Sequence, residues 1–455
     1  MHTTRQLASL VHETRYTDLP GEAIQKAKYA ILDTLGVTLA GATSPAGEII
    51  ARYTKSLGGA PQASVLGHGF RTSPPQAALA NGTMAHAYDY DDVNWSMSGH
   101  PSVPLLPAVL AVAEAQGASG KDLLTAYVIG FEVEAKIGRG VNPAHYQLGW
   151  HATSTLGVFG ATAAVARLLQ LSPQKIARAF GIAASLSSGI RQNFGTMTKP
   201  LHPGHAAMGG VMAATLAQMD FTADEGILEA PFGFARLYTG GGEFQLEQIT
   251  QTFGAPYDLV DPGVVIKQYP CCAFTHRAID ATLDLVQKHQ FAPEAVAEVE
   301  CLLSRLASDV LIHARPHTAL EGKFSLEYCL AAAILDRKVG LAQFTDEMVQ
   351  RPQAQELLQR VKRQIHPVEA TAGERDDEDL PVTVTIKLRD GRKYSQQVDL
   401  PKGHPQNPLS ESELQAKFRE CASLVLSSKK IDRVLEQLEQ LETLPTLTPL
   451  LELLR

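Results

Sequence analysis

Residues 154–169 read STLGVFGATAAVARLL, and two later segments have the same texture: IARAFGIAASLSSG at 176–189 and HAAMGGVMAATLA at 205–217. All three are dominated by Ala, Gly and apolar residues, so none presents the polar face that a surface helix needs. Small side chains also let helix axes approach closely. These segments therefore predict the central helices of a large bundle, and the polar residues that interrupt each run argue against membrane spans.

Helix signals recur through about the first 260 residues. The segment GEAIQKAKYAILDTLGVTLAG at 21–41 places apolar side chains at helical spacing and ends at a glycine. Helix starts are also predicted where serine precedes proline, and where Ser or Thr is followed three residues later by an acid. These starts are Ser73, Ser172, Ser119 with Asp122, and Thr222 with Glu225.

After about residue 261 the pattern becomes a mixture of strands and helices. Residues 295–304 begin with strand-like alternation, and residues 382–388 alternate cleanly between apolar and polar side chains. The Asp390-Gly391 pair predicts a tight turn, and residues 393–400 supply the return strand of a hairpin.

The other segments of this region complete the predicted fold. Residues 325–335 and 345–361 look helical, the charged run at 373–381 reads as an exposed loop, and helices resume at 410. The sequence therefore predicts a mainly α protein with a large all-helical bundle domain and a smaller α+β lid domain. The all-helical domain is expected over residues 1–262 and 408–455, and the α+β lid domain over residues 263–407.

Composition narrows the class of protein. A chain of 455 residues predicts two domains, and 45% apolar with 19% charged residues is typical of a globular protein. A net charge of −8 argues against a nucleic-acid partner. The N-terminal residues lack a secretory signal and no run is long enough for a membrane span, which predicts a cytoplasmic protein. Five cysteines without a CxxC spacing indicate a reduced chain with no metal site.

One stretch concentrates acid/base side chains. Residues 80–108 read ANGTMAHAYDYDDVNWSMSGHPSVPLLPA and contain His86, Asp89, Asp91, Asp92 and His100. Groups this dense at the mouth of an apolar helix predict a site that moves protons. A solvated acidic loop is the alternative interpretation, since runs of charge usually lie at the surface.

Four further segments carry polar side chains at loop-to-helix junctions. Histidine exchanges a proton near neutral pH, whereas helix N-termini, Lys and Arg favour carboxylates. Together these segments predict removal of a proton next to a carboxylate, with cations to hold the enolate-like charge. Taken singly, each side chain could instead be a helix cap or a core residue. The candidates are Tyr146 and His151 in AHYQLGWHATSTLG, Arg191, Gln192 and Lys199 in SGIRQNFGTMTKPLHPG, His276 in YPCCAFTH, and Lys323 and Tyr328 in EGKFSLEY.

Six stretches in order along the chain resemble the MmgE/PrpD family. They are DTLGVTLAG, HAYDYDDV with GHPS, GWHATSTLG, NFGTMTKPLHPG, YPCCAFTH and KFSLEY. The resemblance implies a helical domain with an α+β lid, usually in a homodimer, and a site between the domains. It also implies small di- or tricarboxylate substrates and no cofactor. The active-site positions that it implies are Asp89, His100, His151, Lys199, His276 and Tyr328.

Activities known in this family include 2-methylcitrate dehydratase, cis-aconitate decarboxylase and iminodisuccinate epimerase. In YDDVNWSMSGHPSVPL, Val93-Asn94 stand where the bacterial dehydratases have Thr-Trp, and the decarboxylases carry threonine at the position of Val93. These departures remove polar groups that could serve a third carboxylate or a hydroxyl. The sequence therefore favours a cofactor-free epimerase acting on an amino-dicarboxylate such as iminodisuccinate.

In the epimerase hypothesis, Lys199 with Tyr146 and His151 with His276 exchange the α-proton on opposite faces of the substrate. A hydro-lyase of the 2-methylcitrate dehydratase type, with His100 expelling water, is an alternative, followed by a cis-aconitate-type decarboxylase. Arg191, Gln192, Lys323 and Tyr328 are expected to bind the substrate. A non-catalytic binding protein is the remaining alternative, and it predicts thermal stabilisation by polycarboxylates without turnover.

Overall fold

The computed structural model describes residues 2–367 and 380–455, so most of the charged run at 373–381 lies outside the described residues. The chain divides into two compact units. We call the first the helical unit; it comprises Met1–Asn193, Met197–Ile266 and Ser410–Arg455. The second, the α+β unit, comprises Phe194–Thr196 and Lys267–Leu409. The protein is mainly α-helical, as the sequence predicts.

The helical unit begins with a long series of α-helices and one short antiparallel hairpin, β1 (Ala63–Val65) with β2 (Phe70–Thr72). The helices are α1 (Thr3–Glu13), α2 (Gly21–Ala42), α3 (Pro45–Leu57), α4 (Pro74–Ala85), α5 (Ser102–Gln116), α6 (Gly120–Val141), α7 (Ala144–Gln147), α8 (Ala152–Thr155), α9 (Gly157–Leu168), α10 (Pro173–Leu186), α11 (Thr198–Gln218), α12 (Phe234–Tyr238) and α13 (Leu246–Gln251).

Local capping chemistry explains where several helices begin. Ser119 accepts from the backbone N–H of Asp122, whose carboxylate accepts from the Ser119 N–H, so the predicted capping box of α6 is confirmed. Ser172 caps α10 by accepting from the backbone N–H of Lys175, with proline in the first turn. Ser73 precedes α4 at the expected position, although its side chain makes no capping bond.

The helix start predicted at Thr222 and Glu225 is wrong. These residues lie in a non-helical stretch between α11 and α12. The Glu225 carboxylate instead binds the guanidinium of Arg178 at 3.0 Å. Sequence spacing alone could not show that Arg178 of α10 would bind this carboxylate.

Small residues let the central helices touch. A Cβ built on Gly210 of α11 would lie 2.5 Å from the Cβ of Ala161 on α9. A Cβ on Gly82 of α4 would lie 2.8 Å from the Cα of Gly204 on α11. Helices α4, α9 and α11 therefore pack at distances that only glycine permits at these positions. The segments 154–169 and 205–217 lie in the core of the helical unit, as predicted.

The α+β unit contains a four-stranded sheet. Its strands are β3 (Val296–Leu303), β4 (Val361–Ile365), β5 (Val382–Leu388) and β6 (Lys393–Val398), and its helices are α14 (His276–His289), α15 (Arg305–Val310), α16 (Ala319–Gly322), α17 (Leu326–Asp336), α18 (Asp346–Gln350) and α19 (Pro352–Leu357). The strand order is β4-β3-β5-β6, with β3 and β4 parallel and the other pairs antiparallel. The predicted β5–β6 hairpin is confirmed.

The helix predicted over residues 345–361 is only partly correct. It is divided into α18 and α19 by Arg351, which has an extended ψ of 137° before Pro352. Strand β4 then begins at Val361. With only five residues, this strand was too short to be distinguished in the sequence from the helical pattern before it.

The chain returns to the helical unit as α20 (Glu411–Ala422), α21 (Ser428–Glu439) and α22 (Thr448–Leu454). Helix α20 packs on α2, where a Cβ built on Gly36 would lie 3.0 Å from the Phe418 ring. In the described part of the chain, no helix is both long enough and apolar enough to cross a membrane.

Candidate functional site

The acid/base stretch forms a buried loop between α4 and α5 of the helical unit. His86 follows directly after α4, and Asp89 adopts the left-handed conformation with φ 51°. A backbone bridge between Asn94 and Gly99 folds the loop back on itself, and a second bridge joins Val93 to Val265 in a later segment of the unit. The interpretation of this stretch as a solvated acidic loop is therefore wrong, because all three of its aspartates are buried.

One carboxylate joins two histidines in this loop. The Nδ1 of His86 lies 2.8 Å from Oδ1 of Asp91, and the Nδ1 of His100 lies 2.9 Å from Oδ2 of the same residue. The His100 Nδ1 is also 2.8 Å from the backbone carbonyl of Asp92. His86 and Asp91 are fully buried, and the His100 side chain is 13% exposed.

A lysine from a helix that is distant in sequence contacts a side chain of the loop. The Nζ of Lys199, in the first turn of α11, donates to Oδ1 of Asp89 at 2.9 Å. The Nε2 of His100 lies 3.7 Å from the same oxygen. Asp89 therefore lies between a cation and an imidazole, both of which can act on a carboxylate substrate.

A second imidazole pair lies beside the first. The Nδ1 atoms of His151 and His202 are 2.9 Å apart, so one ring donates and the other accepts. The His151 ring stacks on His86 with centroids 5.9 Å apart. The GHPS and GWHATST motifs also meet here, because the His100 backbone N–H donates to the Thr153 hydroxyl at 3.0 Å.

Burial keeps the inner histidines neutral. It lowers the pKa of His86 to about 3 and that of His202 to about 4, and it holds the pKa of His151 well below its usual value. For Asp91, burial acts to raise the pKa, but the interactions of its carboxylate with His86 and His100 hold the pKa well below the usual range. The site thus combines an ionised carboxylate with neutral imidazoles.

Asp92 faces away from the histidines. Its carboxyl group accepts from the Ser102 backbone N–H at 3.2 Å and contacts the Ser102 hydroxyl, which in turn contacts Tyr127. Burial raises the pKa of Asp92 to about 8. This side chain holds the start of α5 against α6.

The loop is also held by the C-terminal part of the helical unit. The Nζ of Lys417 on α20 donates to the backbone carbonyl of Tyr90 at 2.8 Å and lies 2.6 Å from the Asp33 carboxylate on α2. The same ammonium lies 3.9 Å from the centre of the Tyr90 ring. A buried cation thus fixes the loop one residue away from both Asp89 and Asp91.

Four of these side chains offer ligand atoms to a metal ion. His86, Asp89, Asp91 and His100 each place one such atom within 4.8 Å of the others. Through the two Nδ1 atoms this donor set fits a cation poorly, because both face the acceptor oxygens of Asp91 and must carry protons. A metal ion bound at these Nδ1 atoms would require both protons to leave, whereas the Nε2 atoms could bind a metal with the Nδ1 protons in place.

The remaining predicted residues of the helical unit lie along residues 146–192. The Tyr146 ring lies under the guanidinium of Arg191 at 4.1 Å, and Arg191 donates to the Tyr146 carbonyl at 3.0 Å. Gln192 is exposed. Lys199 contacts Asp89, and His151 contacts His202. The epimerase hypothesis instead grouped Lys199 with Tyr146 and His151 with His276.

Three predicted residues belong to the α+β unit. Two of them contact the backbone of the turn at Pro270 and Cys271. Lys323 donates to the Pro270 carbonyl at 2.6 Å, and the Nε2 of His276 lies 3.3 Å from the Cys271 carbonyl. The hydroxyl of Tyr328 donates to the Gln343 carbonyl, and burial raises its pKa. All three side chains are buried.

His86, Asp91 and His202 were present in the highlighted segments but received no role from the sequence. The signal for His86 and Asp91 was their density within HAYDYDD. His202 follows Lys199 by three residues on α11, so helical spacing places both side chains on one face.

The fold and the site define a mainly α-helical protein with buried acid/base groups suited to proton transfer on a carboxylate. The chain belongs to the MmgE/PrpD family: the model of the MmgE/PrpD N-terminal domain matches residues 5–247, and that of the MmgE/PrpD C-terminal domain matches residues 269–442. The family expected from the sequence motifs is therefore confirmed.

Two relatives are cis-aconitate decarboxylases. The protein of Homo sapiens is 31% identical over 451 residues, covering 95% of this chain and 90% of the relative. That of Mus musculus is 30% identical over 443 residues, covering 95% and 89%. A 2-methylcitrate dehydratase of Cupriavidus necator is 25% identical over 427 residues, covering 86% and 84%. These names favour the lyase alternatives over the epimerase that the sequence alone favoured.

Proposed function

We propose that this protein is a carbon–carbon lyase that decarboxylates a small unsaturated tricarboxylate of the cis-aconitate type. The observation that carries the proposal is the contact of Lys199 with Asp89, beside the Nε2 of His100. The proposal is further supported by similarity to cis-aconitate decarboxylases along 95% of the chain.

The chemistry of the substrate sets the requirements. In cis-aconitate, one carboxylate is carried by a methylene group next to the double bond. Its loss as CO₂ breaks a C–C bond and leaves the electron pair in an allyl system that is conjugated with the remaining carboxylates. A proton then adds at the far end of that system, next to a carboxylate, and the product is an unsaturated dicarboxylate. The catalyst must supply cations for the charge and one proton for carbon.

The residues of the helical unit fit these requirements. Lys199 provides a buried ammonium for a substrate carboxylate, and Asp89 holds that ammonium in place. His100 is the proton donor, with its Nε2 on the Asp89 side. The neutral His151–His202 pair donates hydrogen bonds without adding charge. Tyr146 and His276 stay predictions as catalytic residues. The residues that stay predictions for substrate binding are Arg191, Gln192, Lys323 and Tyr328.

Val93 no longer counts against a decarboxylase. Its side chain is 4% exposed, and its backbone N–H and C=O both pair with Val265. The backbone pairing of this residue holds the loop in place whichever side chain it carries, so the missing threonine hydroxyl does not by itself exclude a decarboxylase.

The test is incubation with cis-aconitate, 2-methylcitrate and iminodisuccinate in D₂O, followed by proton NMR and CO₂ detection. We expect CO₂ only from cis-aconitate, with one deuterium at the carbon that receives the proton. An olefinic product from 2-methylcitrate without CO₂ would make the protein a hydro-lyase. Exchange of the α-proton of iminodisuccinate would restore the epimerase hypothesis.

A matched pair of variants tests whether the site carries the activity. Lys199→Met removes the buried ammonium, and Lys175→Met removes a lysine that pairs with Asp220 on the surface of the same unit. We expect turnover to fall by roughly 10²-fold or more only in Lys199→Met. The homodimer implied by the family stays a prediction, which sedimentation would test.

A further inference from the structure

Asp91 accepts hydrogen bonds from two rings at once. Its oxygens lie 2.8 and 2.9 Å from the Nδ1 atoms of His86 and His100. An ionised carboxylate only accepts hydrogen bonds. The same holds for the backbone carbonyl of Asp92, which lies on the other side of the His100 Nδ1. Both Nδ1 atoms must therefore carry a proton.

This arrangement fixes where the chemistry of His100 takes place. Because the Nδ1–H of His100 donates to Asp91, the ring exchanges protons with its surroundings through Nε2. The Nε2 lies 3.7 Å from Oδ1 of Asp89. In His86 the Nε2 is buried and makes no hydrogen bond, so this ring stays neutral. Of the two rings, only His100 is placed to gain and lose a proton.

We propose that Asp91 is the positioning residue of the site, which fixes the tautomer of both His86 and His100 and presents the Nε2 of His100 as the proton-transferring atom. His86 has the supporting role of orienting the carboxylate. The catalytic part of this inference rests on the proposed function, whereas the assignment of the tautomers does not.

The charges around His100 agree with this role. The ionised Asp91 carboxylate favours the imidazolium form of His100, and Lys199 beyond Asp89 opposes it. His86 and His151 are neutral, and the Asp92 side chain turns towards Ser102. The titratable and charged groups around His100 are His86, Asp89 and Asp91 from the loop, His151 before α8, and Lys199 on α11 beyond Asp89.

Asp91→Asn tests the inference with little change in shape. An amide offers one acceptor and one donor where the carboxylate accepted twice, so one ring must move its proton from Nδ1 to Nε2. We expect kcat to fall by roughly 10²- to 10⁴-fold with a much smaller change in KM. The limb of the pH profile that reports His100 should move to lower pH, because the charge favouring the imidazolium is gone.

Two further variants separate positioning from folding. Asp91→Glu keeps two acceptor oxygens and should recover part of the lost kcat. Asp92→Asn introduces an amide at the neighbouring buried position and should keep most of the activity, since the Asp92 side chain contacts Ser102 and not a histidine. Equal losses in all three variants would mean general disruption of the loop and would overturn the inference.

A readout without turnover keeps this inference separate from the proposed function. Long-range ¹⁵N–¹H NMR of histidine-labelled protein, assigned with His86→Gln and His100→Gln, reports which nitrogen of each ring carries the proton. We expect Nδ1–H in both rings of the wild type and a changed tautomer in one ring of Asp91→Asn. If these tautomers are seen without decarboxylation of cis-aconitate, the proposed function fails and the assignment of the tautomers stands.

Two results would overturn the inference while leaving the proposed function intact. One is an active wild type whose activity, pH profile and histidine tautomers are unchanged in Asp91→Asn. The other is stoichiometric binding of added Zn²⁺ or Mn²⁺ that removes the Nδ1–H signals of His86 and His100, because the Nδ1 atoms would then be metal ligands instead of donors.

Discussion

The ammonium of Lys199 lies 2.9 Å from the carboxylate of Asp89, although 110 residues separate the two along the chain. Both side chains are almost fully buried, at 5% and 6% exposure. A buried ion pair has lost its hydration, so removing one partner leaves the other charge uncompensated. The local structure of the site therefore depends on each partner of this pair for stability.

A double-mutant cycle on this pair should be strongly non-additive. We expect Asp89→Asn and Lys199→Met each to lower the free energy of unfolding by roughly 3–5 kcal/mol. The double variant should cost clearly less than the sum, because no charge is then left unpaired. Urea unfolding of the four proteins measures the coupling. Additive losses would show that the two charges are stabilised independently of each other.

The His151–His202 pair should matter for catalysis. His202→Asn removes the ring whose Nδ1 lies 2.9 Å from that of His151, so His151 loses its orientation. We expect kcat on cis-aconitate to fall by about 10²-fold. His205→Asn, three residues further along α11, is the control and should keep near-normal kcat. Similar kcat values for the two variants would remove the pair from the mechanism.

Asp92 should make stability depend on pH. Burial raises its folded pKa to about 8, whereas an unfolded aspartate titrates near ~3.9. Its contribution to stability is thus complete below pH ~4 and is lost as the pH rises towards 8. Asp92→Asn resembles the protonated carboxyl and cannot ionise.

Between pH 5 and 8, the unfolding free energy of the wild type should therefore fall relative to that of Asp92→Asn, by up to about 1.4 kcal/mol per pH unit. Urea unfolding at a series of pH values measures the difference. Parallel curves for the two proteins would show that Asp92 is ionised in the fold.

Close helix packing gives a stability prediction outside the site. Gly210→Ala would place a methyl group 2.5 Å from the Cβ of Ala161, and we expect a loss of roughly 1–3 kcal/mol from overpacking. Gly21→Ala, in the first turn of α2, meets no atom within 4 Å and is the control. It should leave the melting temperature unchanged or slightly higher. An equally stable Gly210→Ala would mean that α9 and α11 can separate freely.

Local sequence patterns predicted most of the structural features that are determined by residues close together in the chain. The capping box at Ser119, the β5–β6 hairpin and the small-residue helices follow from short-range geometry. The failure at Glu225 and the missed strand β4 have a different origin. Arg178 lies 47 residues from Glu225, and β4 pairs with β3 across about 60 residues, so neither partner is visible in a local pattern.

The same distinction applies to the candidate site. His86, Asp89, Asp91 and His100 lie within one short stretch, so their density could be read directly. The pairing of ring nitrogens with carboxylate oxygens could not be predicted from the sequence, because it depends on how the loop folds against α8 and α11. The contacts of Lys199 with Asp89 and of His202 with His151 join segments 110 and 51 residues apart.

The contact of Lys417 with Tyr90 constrains the order in which the protein can mature. The two residues are 327 positions apart, so at about 5–20 residues per second the ribosome needs tens of seconds to supply the lysine after the tyrosine. During that interval the loop lacks the cation that anchors it beside α2. The nascent chain can build its helical core early, but the loop that carries the acid/base side chains gains this anchor only when synthesis has passed α20.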